Sequence, residues 1–473
     1  MQQVLKSKVT FLFFVCLIAL YLRLLFPQTI EFGYDQPRLA SVVLKFISQP
    51  SFTNVQAFVE QNPWGSYSWG MWQIVFWVPF FLLSVNPVVL SQLVSVVGVI
   101  GIFVYGVSFL SSPGGLFASL LLATHFWVHI FAREVYQPTP VVFVTILVMA
   151  LSVASIGKRR QVLSIVLLPL LGILVSIYIS TILWVGVTFV VLVLSKVYTK
   201  KTFAIGAILT LAVLSPTIWF HLKHPETFDN YYAHEGFSTP TIIARVSAVP
   251  QYLSTISGGN IVWQIGNGTE EFLLNNPWYW GYERIQWMLA LFVLLYHLYQ
   301  VMVKKERLRL MFLLWALSPL LFALIVGFPD IVPRYFLVGI PAYISLLAWM
   351  LQERIKKQRM IFCALIIALA SMQSIVILRY YEFALTYTYP YGFMSYFSDT
   401  PIVFLERSLD WVKKDAAVRG DGYTIESSIN AVNYYTENIV TSQGLPKTLY
   451  TIEYKNDKTQ ATFVSGPYAV TRL

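Results

Sequence analysis

Residues 9–47 read VTFLFFVCLIALYLRLLFPQTIEFGYDQPRLASVVLKFI, and the change of character along this stretch decides the architecture. From Val9 to Phe26 the only charge is Arg23. A run of this kind is long enough to cross a bilayer, which takes about 20 apolar residues. Chain from about 9 to 28 is therefore expected to span, with Arg23 near enough to the end to snorkel. An acidic turn follows, and beyond it the period changes. Leu39, Val42, Val43, Phe46 and Ile47 fall on one face of a helix, and Arg38, Ser41 and Lys45 on the other. Pro37 suits the first turn, where its missing N–H would be unpaired in any case. Asp35 thus stands at a helix start, where the helix dipole keeps a carboxylate ionised. The same local pattern also describes an ordinary helix cap.

Composition extends this reading to the whole chain. Of its 473 residues 57% are hydrophobic and only 12% charged, outside the range of soluble domains. The net charge of +10 does not indicate nucleic acid, because Lys and Arg lie in short clusters between apolar runs. These clusters are Lys6 with Lys8, Lys158-Arg159-Arg160, Lys196 with Lys200-Lys201, Lys304-Lys305 with Arg307 and Arg309, and Arg354 with Lys356-Lys357 and Arg359. All are expected on the cytoplasmic side. Cys16 and Cys363 lie within apolar spans, so neither a disulfide nor a metal site is expected. The first span lacks a small-residue cleavage motif and reads as an uncleaved anchor.

Parity then restricts the topology. Four apolar segments, about 71–86, 88–110, 114–132 and 138–157, lie between the first span and Lys158, and only an odd number of them can cross. The segment 71–86 is the shortest and is rich in Trp and Phe, so it is laid along the outer membrane face. Spans at about 162–178, 179–197, 203–221, 285–303, 310–328, 334–353 and 360–381 bring the total to about eleven. The expected fold is an all-α polytopic membrane protein. Residues 1–384 form the transmembrane part, with outer loops 29–87 and 222–284 carrying interfacial helices. Residues 385–473 form a small extracytoplasmic α/β domain, with a helix over Pro401 to Val418 and strand-like runs at Tyr423–Ser427, Thr448–Tyr454 and Ala461–Val470. No internal repeat or low-complexity tract is present.

The ionisable residues expected at the outer face include Asp35, Arg38, Arg133, Glu134, His221, His224, Arg245, Asp330 and Arg334. Mid-span positions are nearly free of charge, which disfavours transport of ions or polar solutes. Arg133, directly after the aromatic run ending at Phe131 and Ala132, could grip a lipid-linked phosphate with its planar fork. It could equally be an interface anchor paired with Glu134. Arg334 and Tyr335, between Pro333 and Pro341, offer a cation and an aromatic to a phosphate or sugar, or another interface anchor. The histidines and acids between His221 and Glu235 match no metal-binding spacing, and Arg419-Gly420-Asp421-Gly422 reads as a turn.

These features together resemble the GT-C-fold glycosyltransferases, nearest in pattern to the protein O-mannosyltransferase and aminoarabinose transferase type. An Asp turn and amphipathic helix follow the first span, an Arg ends an outward span, and an Arg-Tyr with a trailing Pro opens a late one. Seven spans precede a large outer loop, as in that group, and the likeness covers roughly residues 1–380. It implies a hexosyl- or pentosyltransferase acting at the cell envelope. The donor would be a polyprenyl-phosphate sugar, and the acceptor a glycan, lipid or protein on the extracytoplasmic face. It further implies Asp35 as general base and inversion by single displacement. Arg38, Arg133, Glu134, Arg334 and Tyr335 are the expected substrate contacts, with Arg133 and Arg334 as the cations facing the leaving phosphate. Many relatives carry a second acid beside the Asp, where this chain has Gln36. No cofactor is indicated, and a divalent metal would need Glu134 or Asp330. Two other classes fit the composition: a lipid-linked glycan flippase or exporter subunit, and a non-catalytic envelope assembly protein.

The parity argument ends the 88–110 span inside. A Ser112→Cys chain with Cys16 and Cys363 replaced by Ser should resist an impermeant maleimide in sealed cells and react after permeabilisation. Labelling from outside would overturn the topology.

Overall fold

The structure, a computed structural model, has helix within each of the eleven expected spans, though not every span is one continuous helix. It describes residues 2–32, 35–50, 71–108, 113–136, 138–158, 161–223, 242–326, 333–354, 359–386, 402–419, 422–427, 430–438, 447–454, 461–465 and 468–472. Among these, seven helices are long and apolar enough to cross a membrane, and four shorter apolar helices accompany them. The first helix, Gln2–Leu24, matches the first expected span. The helix Lys200–Lys223 shows what surrounds the bundle: Ile208, Leu211 and Trp219 are more than half exposed. Such an apolar surface belongs against lipid tails. The protein is an integral, multi-pass membrane protein.

Small residues bring the helices close. A Cβ on Gly106 would run into Leu12 and lie 2.8 Å from Ser119 Oγ, so Pro87–Ser108 packs tightly on Gln2–Leu24 and Pro113–Thr124. Elsewhere stacking fills the core: Trp184 and Trp315 lie 5.6 Å apart and nearly parallel. Trp315 Nε1 also donates to Thr188 Oγ1 at 2.8 Å.

Two expectations need correction. The span at 114–132 is not one helix: it breaks at His125 into Pro113–Thr124 and Phe126–Phe131. The cause is the extended backbone of His125, φ −66° and ψ 123°, which caps the second piece. The loop 222–284 is also not wholly peripheral to the bundle. Its helix Ile242–Ser257 buries Ala248, Tyr252, Leu253 and Ile256 in the bundle core, and the Tyr252 hydroxyl donates to the Ala316 carbonyl.

The helix Asp35–Ser48 is amphipathic as expected, with Leu39, Val42 and Val43 buried and Ser41 and Lys45 exposed. Met71–Phe81, at 11 residues, is about 16 Å long by helical rise, too short to cross. It packs against Asp35–Ser48 and Gln161–Ile177, and Trp72 Nε1 donates to the Val213 carbonyl at 2.7 Å.

The tail contains a four-stranded sheet of β1 (Gly422–Glu426), β2 (Lys447–Tyr454), β3 (Phe463–Ser465) and β4 (Tyr468–Arg472), in the order β1-β2-β4-β3. Strands β1 and β2 are parallel, with Tyr423 opposite Thr448. Such a pair needs a crossover, and the helix Asn430–Asn438, not expected from the sequence, lies in that connection. The third expected strand run is instead a hairpin, with Phe463 and Val470 paired. The helix Ile402–Arg419 covers the sheet, Trp411 stacking on Phe463 at 5.2 Å.

The tail does not fold around a private core. Phe404, Leu409, Tyr434 and Tyr435 share one buried cluster with Phe32, Leu39, Val43 and Trp77 of the first loop. Phe32 sits edge-on to Tyr434 at 5.1 Å and to Tyr435 at 6.2 Å, and the Tyr434 hydroxyl donates to the Val85 carbonyl at 2.7 Å. Phe32→Ala should therefore cost about 3–5 kcal/mol, as for other buried Phe truncations. A clear fall in the thermal midpoint of the purified protein checks this; an unchanged midpoint would mean the tail and loop do not depend on each other.

Candidate functional site

The chain reverses direction after the first helix, and the reversal creates the demand that organises the site. Phe26 takes a left-handed conformation (φ 49°), and Pro27–Thr29 form a single 3-10 turn. Carbonyls freed at such a break must find donors inside the protein. Arg133 supplies some of these: Nη2 donates at 2.7 Å to the Phe26 carbonyl, which also accepts the N–H and hydroxyl of Thr29, and Nη1 donates to that of Leu25 at 3.3 Å. Nη1 also donates to the Tyr381 hydroxyl, and the guanidinium carbon lies 4.7 Å from the centre of that ring. His129 Nε2 bonds the same hydroxyl. Residues from three distant segments thus converge.

A second set of bonds holds the short helix Phe126–Phe131 against the folded-back loop. His125 Nε2 is 3.1 Å from the Ile256 carbonyl, and Trp127 Nε1 donates to the Gly259 carbonyl at 2.7 Å. Gln264 Nε2 donates to the Glu31 carboxylate, tying the loop to the start of the amphipathic segment. Glu134 is buried, and its carbonyl accepts the Thr139 hydroxyl at 2.6 Å.

Arg334 and Tyr335 belong to the 3-10 stretch Pro333–Gly339, which packs on Phe126–Phe131. The guanidinium of Arg334 lies 5.5 Å from the Tyr136 ring and 5.7 Å from that of Tyr335. Its Nε is buried without a hydrogen-bond partner among the described residues. Tyr335 in turn stacks on Tyr178 at 6.0 Å. This is a half-buried cation against two tyrosines, a setting that suits an anion or a sugar face.

Asp35 is the first residue of Asp35–Ser48, and its side chain lies outside the described residues, as do Asp330, His224 and His234 and the side chain of His221. Arg38, one turn further along the same helix, is half-buried. No cluster of three His, Cys, Asp or Glu is close enough to hold a metal among the described residues. The expected residues thus fall into two groups. Arg133 and Glu134 are built into the bundle, whereas Arg38 and Arg334 keep partly open side chains.

Sequence reasoning missed the residues that hold Arg133, namely His129 and Tyr381, and it misplaced Arg23. Arg23 does not snorkel: it is 1% exposed, with Nη1 donating to the Ala19 carbonyl at 3.2 Å. A helical side chain leans toward its own N-terminus, which carries Arg23 away from the near end of its helix and into the bundle. A charge within an apolar span was the available signal. Tyr381 gave none, since a tyrosine near a span end is ordinary.

This architecture is that of a polytopic membrane protein: a helical bundle with amphipathic and short apolar helices in its first loop and a small tail domain beside them. Compared with solved structures, the chain is similar to ArnT from Cupriavidus metallidurans. The likeness to the form bound to undecaprenyl phosphate has a TM-score of 0.54 at 11% identity, covering 99% of this chain and 97% of that one. The apo form gives 0.53 at 13% identity with the same coverage. No family profile matches the sequence, and no curated protein does.

The geometry separates an anchoring from a ligand-binding role for Arg133. Arg133→Ala should lower the stability of the purified protein by roughly 1.5–3 kcal/mol, the scale of charged hydrogen bonds. Lys should rescue it only in part, because an ammonium cannot span two carbonyls and a hydroxyl as the fork does. Unaltered thermal stability in both variants would show that the reversal is held by other groups.

Proposed function

We propose that the chain is a membrane glycosyltransferase that moves a sugar from a polyprenyl-phosphate carrier to an acceptor hydroxyl on the extracytoplasmic face. One observation carries this reading: its fold matches, over nearly its whole length, that of a protein solved with undecaprenyl phosphate bound. The placement of Asp35 supports it. The residue opens a helix wedged between the membrane bundle and the tail, next to the point where the first span ends.

The reaction needs little beyond positioning and charge. Asp35 takes the proton of the acceptor hydroxyl as its oxygen attacks the anomeric carbon. The bond from that carbon to the carrier phosphate breaks, and the electron pair leaves on the phosphate. A single displacement inverts the configuration. Phosphate is a good leaving group and requires no acid, only cations near its developing charge. Arg38 and Arg334 are the residues proposed for this role, with Tyr335 against the sugar. The basic clusters at Lys158 and Lys304-Lys305 lie at the other ends of their helices, which favours chemistry on the outer side.

General-base catalysis is worth about 10²–10⁴-fold. With a panel of polyprenyl-phosphate sugars, one donor should lose its sugar in the presence of the wild-type protein, and Asp35→Asn should slow that loss by this factor while expressing normally. Full activity in the Asn variant would remove Asp35 from the mechanism.

A further inference from the structure

Arg23 is a cation that the bundle buries without an anion. Among the described residues its Nε and Nη2 have no hydrogen-bond partner, and it forms no ion pair. The titratable groups that act on it are Tyr381, Arg133 and Cys16, none of them a carboxylate. His129, which also faces it, can only add positive charge. Glu134 acts on Tyr381 but not on Arg23. Arg309 supplies the contrast: it is equally buried, but Glu353 and Glu306 pair with it and Trp349 lies under it at 4.7 Å. A guanidinium keeps its proton even when buried, so Arg23 and Arg133 together hold positive charge in the bundle that calls for a counter-ion.

The space beside Arg23 limits what that counter-ion can be. It amounts to about 20 Å³, room for a particle near the size of water, which needs roughly 10–15 Å³. Apart from Arg23 and Thr139 the side chains lining it are apolar, Phe76, Ile102 and Phe143 among them, and the Thr139 hydroxyl donates to the Glu134 carbonyl. The guanidinium is thus its one charged wall. Gly98 keeps the polar end open: a Cβ there would lie 3.4 Å from Arg23 Nε and 3.0 Å from Ala132 Cβ, crowding the nitrogen that has no partner. Neither Arg38 nor Arg334 lines this cavity, so it is separate from the cations assigned to the leaving phosphate.

We infer that this cavity binds a single chloride ion against Nε and Nη2 of Arg23. These two nitrogens form one edge of the guanidinium, and their N–H bonds run nearly parallel, so one round anion accepts both. Hydrogen bonds of that charge-assisted kind are about twice as strong as neutral ones. Chloride is only a little larger than water, whereas tetrahedral oxyanions such as sulfate and phosphate do not fit. A water molecule would satisfy the donors and leave the charge unbalanced. The site rests on the cavity and its charge, and not on the reaction proposed above.

The test follows the thermal midpoint of the purified full chain in detergent as chloride replaces gluconate at constant ionic strength, with sulfate as a second control. The midpoint should rise with chloride to a plateau, because a ligand held only by the folded state stabilises it. Sulfate should leave it where gluconate does. Arg23→Met should weaken chloride binding roughly tenfold or more. In gluconate the same variant should be at least as stable as the wild type, because it lacks the unpaired buried charge. A flat chloride titration overturns the site, and so does an equal rise with sulfate or a wild-type chloride response in the Met variant. If the Met variant does not fold, crystals of the wild-type chain grown in bromide decide the matter. Bromide should give an anomalous peak beside Nε and Nη2 of Arg23; density there without that peak marks a water, and either that or an empty cavity overturns the inference.

Discussion

A helix broken within a membrane bundle must give its freed backbone groups to the protein, because hydrocarbon offers them nothing. Much of the site answers that constraint. After Leu24 the chain turns over through Phe26, and Arg133 takes the exposed Leu25 and Phe26 carbonyls. At His125 a second helix breaks, and His125 and Trp127 pair with carbonyls of the folded-back loop. These bonds bring segments more than a hundred residues apart to one place. The polar chemistry is therefore gathered where the helices are interrupted.

The tail adds a second restraint. The aromatic residues Tyr434 and Tyr435 close over Phe32, and Trp77 fills the same core from Met71–Phe81. The amphipathic helix that begins at Asp35 is thereby held on both sides. A carboxylate meant to act as a base must be held to a fraction of an ångström, and a free interfacial helix would not achieve this. On the proposed function, the tail acts as a clamp on the catalytic helix and need not contact substrate.

Buried charge is distributed unevenly. Arg309 pays for its burial with Glu353 and Glu306, and Arg133 with carbonyls and Tyr381. Arg23 donates once, to its own helix. Residues of one type, equally buried, can thus be a structural pair, a backbone anchor or a side chain whose Nε and Nη2 find no partner among the described residues. Only the neighbours distinguish them.

The apolar runs and the basic clusters between them determined the class and the places of the spans, because crossing a bilayer depends on composition and length. The amphipathic period after Pro37 located the helix that starts at Asp35, since its burial follows directly from spacing. Long-range geometry was not written in any local pattern. Whether Arg133 faces a substrate or the Phe26 carbonyl depends on where the first span turns over. Whether Arg23 snorkels or is buried depends on the helices packed around it. The break at His125 and the burial of Ile242–Ser257 likewise come from contacts with distant segments. Periodicity reports which face of a helix is apolar, and tertiary packing decides what that face, and every charge near it, meets.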